Sequence, residues 1–130
     1  MVHPCYTGTV ETETPQAWNV FDPACPTRAV LDRIGDRWTV LVVLILLSGT
    51  QRFGELRDQI RGVSPKVLTA TLRALERDGL VVRHVYAEVP PRVDYTLTEL
   101  GRSLETPLRA IRDWAETNMP AIERARAAGR

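Results

Sequence analysis

Between residues 64 and 80, the stretch SPKVLTATLRALERDGL carries its apolar positions at helical spacing and divides one helix into two unlike faces. At about 100° per residue, Val67, Leu68, Thr71, Leu72 and Leu75 gather on one side. Lys66, Arg73 and Arg77 fall within about 40° of one another on the opposite side, flanked by Thr69 and Ala70. The pattern predicts one buried face and one small, cationic, hydrogen-bonding face. Both ends are written locally: Ser64 is a good N-cap, Pro65 suits the first turn, and Asp78-Gly79 is a stop. Just upstream, FGELRDQI sets Phe53, Leu56 and Ile60 at i, i+3 and i+7, and Arg61-Gly62-Val63 is as short a connector as a helix-turn-helix requires.

After Gly79 the period changes. LVVRHVY reads as a β-branched strand, AEVPP holds two prolines that cannot continue a ladder, and RVDYTL alternates Val93, Tyr95 and Leu97 against Arg92, Asp94 and Thr96. These segments predict a hairpin with a tip of four or five residues, the form a wing takes. The predicted fold class is therefore mainly α with a small β-hairpin wing, a winged helix-turn-helix, and that arrangement points to nucleic-acid reading.

Other segments complete the domain. Helix one is predicted from about Pro26 to Ile34, burying Ala29, Val30 and Ile34. Helix two, bounded by Asp36 and Gly49, is apolar nearly all round through Trp38, Leu41, Val42, Leu44, Ile45 and Leu46, as a central helix should be. A buried strand is the rival for that run, but the Asp cap, the Gly stop and a span of about twelve residues favour helix. Past the hairpin, Leu100, Leu104, Leu108, Ile111 and Ala115 step by 4, 4, 3 and 4, predicting a helix with a bend at Pro107. Asn118 and Pro120 are expected to interrupt it before a final turn or two. Residues 1–24 are Thr/Pro-rich with no apolar period and read as a loosely ordered tail, leaving 25–128 as the winged helix-turn-helix domain. The stripe on residues 98–128 is too long for one small domain to cover, which predicts a homodimer that shares it.

Composition narrows the class. The 130 residues are 44% hydrophobic and 25% charged, ordinary for one globular domain, with no room for a second catalytic one. The longest apolar run, residues 40–47, falls far below the roughly 20 residues needed to cross a bilayer. No basic segment followed by an apolar core opens the chain, so a cytoplasmic protein without membrane attachment is expected. The formal net charge is only +1, but residues 1–24 carry Glu11, Glu13 and Asp22 with no Lys or Arg, so the basic excess sits on the domain. With His3 and His84 both far from a metal-ligand spacing, neither a metal nor another cofactor is expected.

CPTRAVLDRIGDRWTVLVVLILL, RFGELRDQI, GVSPKVLTATLRALERDGLV and YAEVPPRVDYTLTELGRSL together resemble the HxlR-type winged-helix transcription regulators, relatives of the MarR group. The resemblance covers about residues 25–118, and EVPPRVDYTLTELG with a Cys-Pro opening helix one is its more specific part. It implies a homodimer joined through the N- and C-terminal helices, a helix equivalent to residues 64–77 in the major groove, and a wing on the adjacent backbone or minor groove. It also implies oxidant or electrophile sensing at the cysteine matching Cys25. The long tail and Cys5 are not part of that pattern.

The expected DNA-binding residues are thus Ser64, Lys66, Thr69, Ala70, Arg73 and Arg77 on the helix, with Arg92 at the wing. The bland reading is a solvated charged face for the helix and a plain hairpin charge for Arg92. Trp38 and Trp114 read as core or dimer packing, and His84 as half-exposed. Cys25 directly precedes Pro26 at a helix start, where unpaired N–H groups and the positive dipole end favour a thiolate, and Arg28 one turn on adds positive charge. Its alternative is a small apolar residue packed at that start. Cys5 is a candidate resolving partner. The expected partners are double-stranded DNA, a second copy of the chain, and an effector that is either an oxidant or a small molecule. Two rival functions are weighed: a small-molecule-responsive regulator without a thiol switch, and a winged helix used only for protein contact. A thiol enzyme on Cys25 would want a His base or a CxxC pair, and neither is present.

Overall fold

A computed structural model describes residues 18–129. The elements run α1 (Pro26–Gly35), α2 (Arg37–Leu46), β1 (Gln51–Arg52), α3 (Phe53–Gln59), α4 (Pro65–Arg77), β2 (Val81–Tyr86), β3 (Arg92–Leu97), α5 (Glu99–Arg102) and α6 (Glu105–Ala128). The winged helix-turn-helix predicted from the pattern is present, with α3 and α4 as the helix pair and β2–β3 as the wing.

Local chemistry sets the boundaries. The Asp36 carboxylate accepts the Thr39 N–H at 3.1 Å, and the Ser64 hydroxyl accepts the Val67 N–H at 3.1 Å, so α2 and α4 each begin on a side-chain cap. α4 ends in a Schellman motif: Gly79 at φ 76° donates its N–H to the Glu76 carbonyl, and the Leu80 N–H reaches the Leu75 carbonyl at 2.9 Å. The turn between α3 and α4 passes through Gly62 at φ 89°, with the Trp38 ring beneath it. Leu46, Leu56, Leu68, Leu72, Leu75 and Leu108 are fully buried and form the middle of the core, which α2 crosses.

TLTELG explains how the wing is rooted. Leu97 enters the core, while the Thr98 hydroxyl donates to the Gly79 carbonyl at 2.7 Å and accepts the Gly101 N–H at 3.0 Å. Gly101 lies so close to the Leu80 carbonyl that a Cβ there would collide with it. One threonine and one glycine thereby tie the end of β3 and α5 to the end of α4.

Several expectations are corrected. The wing is not a bare hairpin, because β1 pairs with β3 through Gln51↔Tyr95 and Arg52↔Asp94, giving a three-stranded sheet of order β1-β3-β2. Two residues are too short to show a period in sequence. Alternation along the hairpin is damped: Val81 and Leu97 are buried at its root, but the ribbon then leaves the core, and His84 is exposed rather than half-exposed. Leu41 on α2 is exposed as well. Val67 is 37% exposed although it shares a side of α4 with buried Ala74, because it lies in the first turn, at the end of the covered stretch. The C-terminal stripe is divided between α5 and α6, the break falling at Ser103-Leu104 rather than at Pro107. Pro107 stands in the first turn of α6, where its missing N–H has no intrahelical acceptor to lose. Asn118 and Pro120 do not interrupt, since α6 continues through both to Ala128.

The largest departure concerns α1. None of its residues is buried: Ala29 is exposed, Val30 and Leu31 are 51% and 54% exposed, and of its aliphatic residues only Ile34 is half-covered. α1 packs mainly on α2; Arg33 pairs with Asp78 at the end of α4, and Val30 and Ile34 border a cavity shared with Leu100 and Leu104. Trp114, expected in a core or an interface, is likewise exposed on α6 and belongs to no core among the described residues.

Candidate nucleic-acid interface

α4 presents the face its sequence predicted. Ser64, Lys66, Ala70, Arg73 and Arg77 are exposed and Thr69 is half-buried, while Leu68, Leu72 and Leu75 hold the opposite side in the core. The Ser64 oxygen is occupied by the Val67 N–H, which leaves its O–H as a donor to whatever approaches the helix start. The face is therefore polar, mostly donor in character and anchored from behind.

The sheet adds residues that the linear pattern did not reveal. Arg83 on β2 lies directly across from Tyr95 on β3, and alternation places both on the side of the hairpin that turns toward α4. Together with Thr69, Leu72, Arg73 and Glu76 they line a notch of about 160 Å³ between α4 and the wing. The Arg83 guanidinium is 3.9 Å from the Glu76 carboxylate. Burial first, and then Glu76, raise the Tyr95 pKa above its ordinary 10.0, against the opposing pull of Arg83 and Arg73, so its hydroxyl stays protonated at neutral pH. The β2–β3 register was the signal needed to find this cluster, and it required the hairpin tip to be counted correctly.

Arg92 is not brought to α4. It stands three register steps from Tyr95, on the opposite side of the sheet, and lines a groove of about 430 Å³ beside Arg52, Phe53 and Gly54 at the start of α3. Its guanidinium lies 4.0 Å over the Tyr86 ring and is 3.6 Å from Asp94 and 3.9 Å from Glu88. The side-chain interaction with Tyr86 is the main influence holding its pKa above the ordinary value, with Asp94 and Glu88 adding and desolvation opposing. Asp94 is itself 3.9 Å from Arg52, so this side of the wing is an alternating charge cluster rather than a free cation.

At the other end of the domain, Cys25 is the N-cap residue of α1, is 2% exposed and is disulfide-bonded. Cys5 lies outside the described residues. The Thr27 hydroxyl sits 2.9 Å from the Cys25 sulfur and, with that sulfur in a disulfide, is the donor. Arg28 turns back to donate to the Phe21 carbonyl at 3.3 Å, closing the turns that precede α1. Those turns are themselves braced by Asn19 and Asp22 side chains accepting the Phe21 and Ala24 N–H groups.

Comparison with known proteins gives this geometry a family. The HxlR-like helix-turn-helix family matches residues 33–123, which take in α2 to α5, the wing and most of α6. The chain belongs to that family. Among its relatives, the uncharacterised HTH-type transcriptional regulator YtfH of Escherichia coli strain K12 is 45% identical over 104 residues, covering 80% of this chain and 82% of its own. Among solved structures, the putative transcriptional regulator ytfH from Salmonella typhimurium superposes with a TM-score of 0.81 at 42% identity, over 85% of this chain and 99% of that one. The redox regulator HypR in its reduced form does so with a TM-score of 0.70 at 40% identity, over 75% of this chain and 97% of that one. The matched stretch begins at Arg33, so Cys25 and the turns before it precede the part that defines family membership.

Proposed function

We infer that the chain is a DNA-binding transcription regulator, not an enzyme, and that it acts as a dimer reading double-stranded DNA in a sequence-specific manner. The observation that carries this is α4: a helix with a closed apolar back and a front of exposed Ser64, Lys66, Ala70, Arg73 and Arg77 with half-buried Thr69, set between a short turn and a wing. In this reading Lys66 and Arg77 neutralise phosphates, Arg73 reaches a base edge or phosphate, and Arg92 contacts backbone only after releasing Asp94 and Glu88. Residues 25–128 form the winged domain, with 98–128 and α1 supplying the dimer surface. Exposed Val30 and Leu31 on α1, with Leu100, Ile111 and Trp114 on α5 and α6, support that role. No helix among the described residues is long and apolar enough to cross a membrane.

Cys25 is the redox-sensing residue in this reading, with Cys5 as its resolving thiol, so that oxidation biases one arrangement of the dimer helices. The disulfide at Cys25 and the likeness to HypR, a redox regulator, support it. One observation favours a second reading, a small-molecule effector. A mainly apolar cavity of about 250 Å³ opens between α1 and α5, where Val30, Ile34, Leu80, Leu100 and Leu104 surround the Arg33–Asp78 ion pair.

The decisive experiment is a salt titration of binding to mixed-sequence duplex DNA. Released counterions make affinity fall steeply as salt rises, and the Lys66→Ala, Arg73→Ala double variant lowers both affinity and slope. Unchanged affinity in the double variant overturns the assignment of α4.

A further inference from the structure

We propose that the notch between α4 and the wing, formed by Thr69, Arg73, Arg83 and Tyr95, is a binding site for one phosphodiester group of the DNA backbone, with Glu76 as the internal counter-ion that the phosphate displaces. The proposal rests on the DNA-binding reading and adds a site to it. A helix in the major groove and a wing reaching past the groove's edge are separated by a sugar-phosphate backbone, so the seam between them must meet phosphate.

The lining suits that ligand. At about 160 Å³ the notch is several times larger than one water's share of liquid volume, about 30 Å³. Arg73 and Arg83 offer guanidinium forks from two different elements, the geometry that matches phosphate oxygens. Thr69 contributes a hydroxyl from the same stripe of α4 as Arg73. Tyr95 contributes a phenol, half-buried in the notch and a hydrogen-bond donor in its ordinary protonated form. Glu76 is the only carboxylate in the lining, and it is paired with Arg83 at 3.9 Å, too long for a hydrogen bond. That pair positions Arg83 in the free protein but binds it loosely, since its side chains are 47% and 43% exposed. An arriving phosphate exchanges one acceptor of Arg83 for a better-matched one, and the lining's net charge of one positive unit is then neutralised.

The test measures affinity for mixed-sequence duplex DNA against potassium chloride concentration in wild type, Arg83→Ala, Arg83→Lys, Glu76→Gln and Lys66→Ala, with circular dichroism to establish folding. Losing one phosphate contact lowers the slope of log affinity on log salt by about 0.9, so over a fourfold rise in salt Arg83→Ala loses about 3.5-fold less affinity than wild type. Arg83→Lys keeps the wild-type slope because it keeps the charge, which a merely structural role for Arg83 would not produce. Glu76→Gln binds all duplexes more tightly, and none of these variants changes the ratio between one sequence and another, because phosphate carries no sequence information. If Arg83→Ala keeps the wild-type slope while Lys66→Ala lowers it, the notch is not a phosphate site and the DNA-binding reading stands. If wild type binds no duplex at all, both fall together. Should Arg83→Ala fail to fold, Glu76→Gln decides: weaker or unchanged binding overturns the proposal.

Discussion

α4 and α6 are both amphipathic helices, yet one is complete within the chain and the other is not. α4 buries Leu68, Thr71, Leu72, Ala74 and Leu75 against elements of its own chain and turns a polar, cationic face outward. α6 has 24 residues and buries only Leu108, while Ile111 and Trp114 remain 58% and 62% exposed. α1, which buries no residue, belongs with α6 in this respect. The difference separates two kinds of apolar face. One is matched by a core present in the same chain, and the other is left exposed by the described residues, the kind of face for which we propose a second copy of the chain.

The sharpest way to break that comparison is to remove a side chain from each kind of face. Leu72→Ala deletes a fully packed side chain and should cost about 2–5 kcal/mol, read as a lower urea midpoint with an unchanged slope. A cost below about 1 kcal/mol would mean that α4 is no better packed than α6. Next in size is the joint substitution Ile111→Asp, Trp114→Ala. It should leave secondary structure intact by circular dichroism but convert a dimer to monomers at micromolar concentration. It should also abolish the dependence of the melting temperature on protein concentration. Light scattering that gives wild type the mass of one 14.6 kDa chain would overturn the dimer and leave the exposed stripe unexplained.

The third effect lies at the start of α1. Diamide takes two electrons and two protons from a pair of thiols, which become a disulfide while the diazene is reduced to the hydrazine. If α1 belongs to a movable dimer surface, this treatment, applied to protein whose Cys25 disulfide has first been reduced, should change DNA affinity about 5-fold or more in wild type and leave Cys25→Ser unaffected. Equal responses in the two proteins would remove Cys25 as a switch and make the α1–α5 cavity the better account of signalling. The smallest effect belongs to the complete side of the molecule. Tyr95 has a folded-state pKa raised above 10.0, so above about pH 10 the unfolded chain releases this proton before the native one does. Tyr95's contribution to stability is present below that pH and falls away as pH rises through the raised pKa. Tyr95→Phe should flatten that alkaline limb, measured by urea midpoints across pH 9 to 12, and an unchanged limb would place the phenol in water rather than in the notch.

Much of this contrast was visible in the residue order. The two faces of α4, its Ser64 cap and its Gly79 stop depend on neighbours within four residues, and they formed as read. The burial of Ala29 and Val30 was misjudged because periodicity reports that a face is apolar and not what covers it. Asn118 and Pro120 were read as breaks because a helix loses an N–H at proline, yet an exposed carbonyl on α6 can turn to water, so the loss is tolerated. Arg92 was read as a wing contact from its charge and its place in the hairpin alone; which side of the sheet it occupies, between Tyr86, Asp94 and Glu88, follows only from strand alternation and register.

The sequence by itself determined the helix-turn-helix, the hairpin, the cationic front of α4 and the presence of two cysteines, one at a helix start. Each of these follows from local backbone preference or from spacing along a single element. Only the tertiary structure decided that β1 completes the sheet, that Arg83 and Tyr95 join Thr69 and Arg73 while Arg92 does not, and that α1 keeps its apolar side outward. Those outcomes depend on strand register and on which faces find partners, and both are set by contacts between residues far apart in the chain.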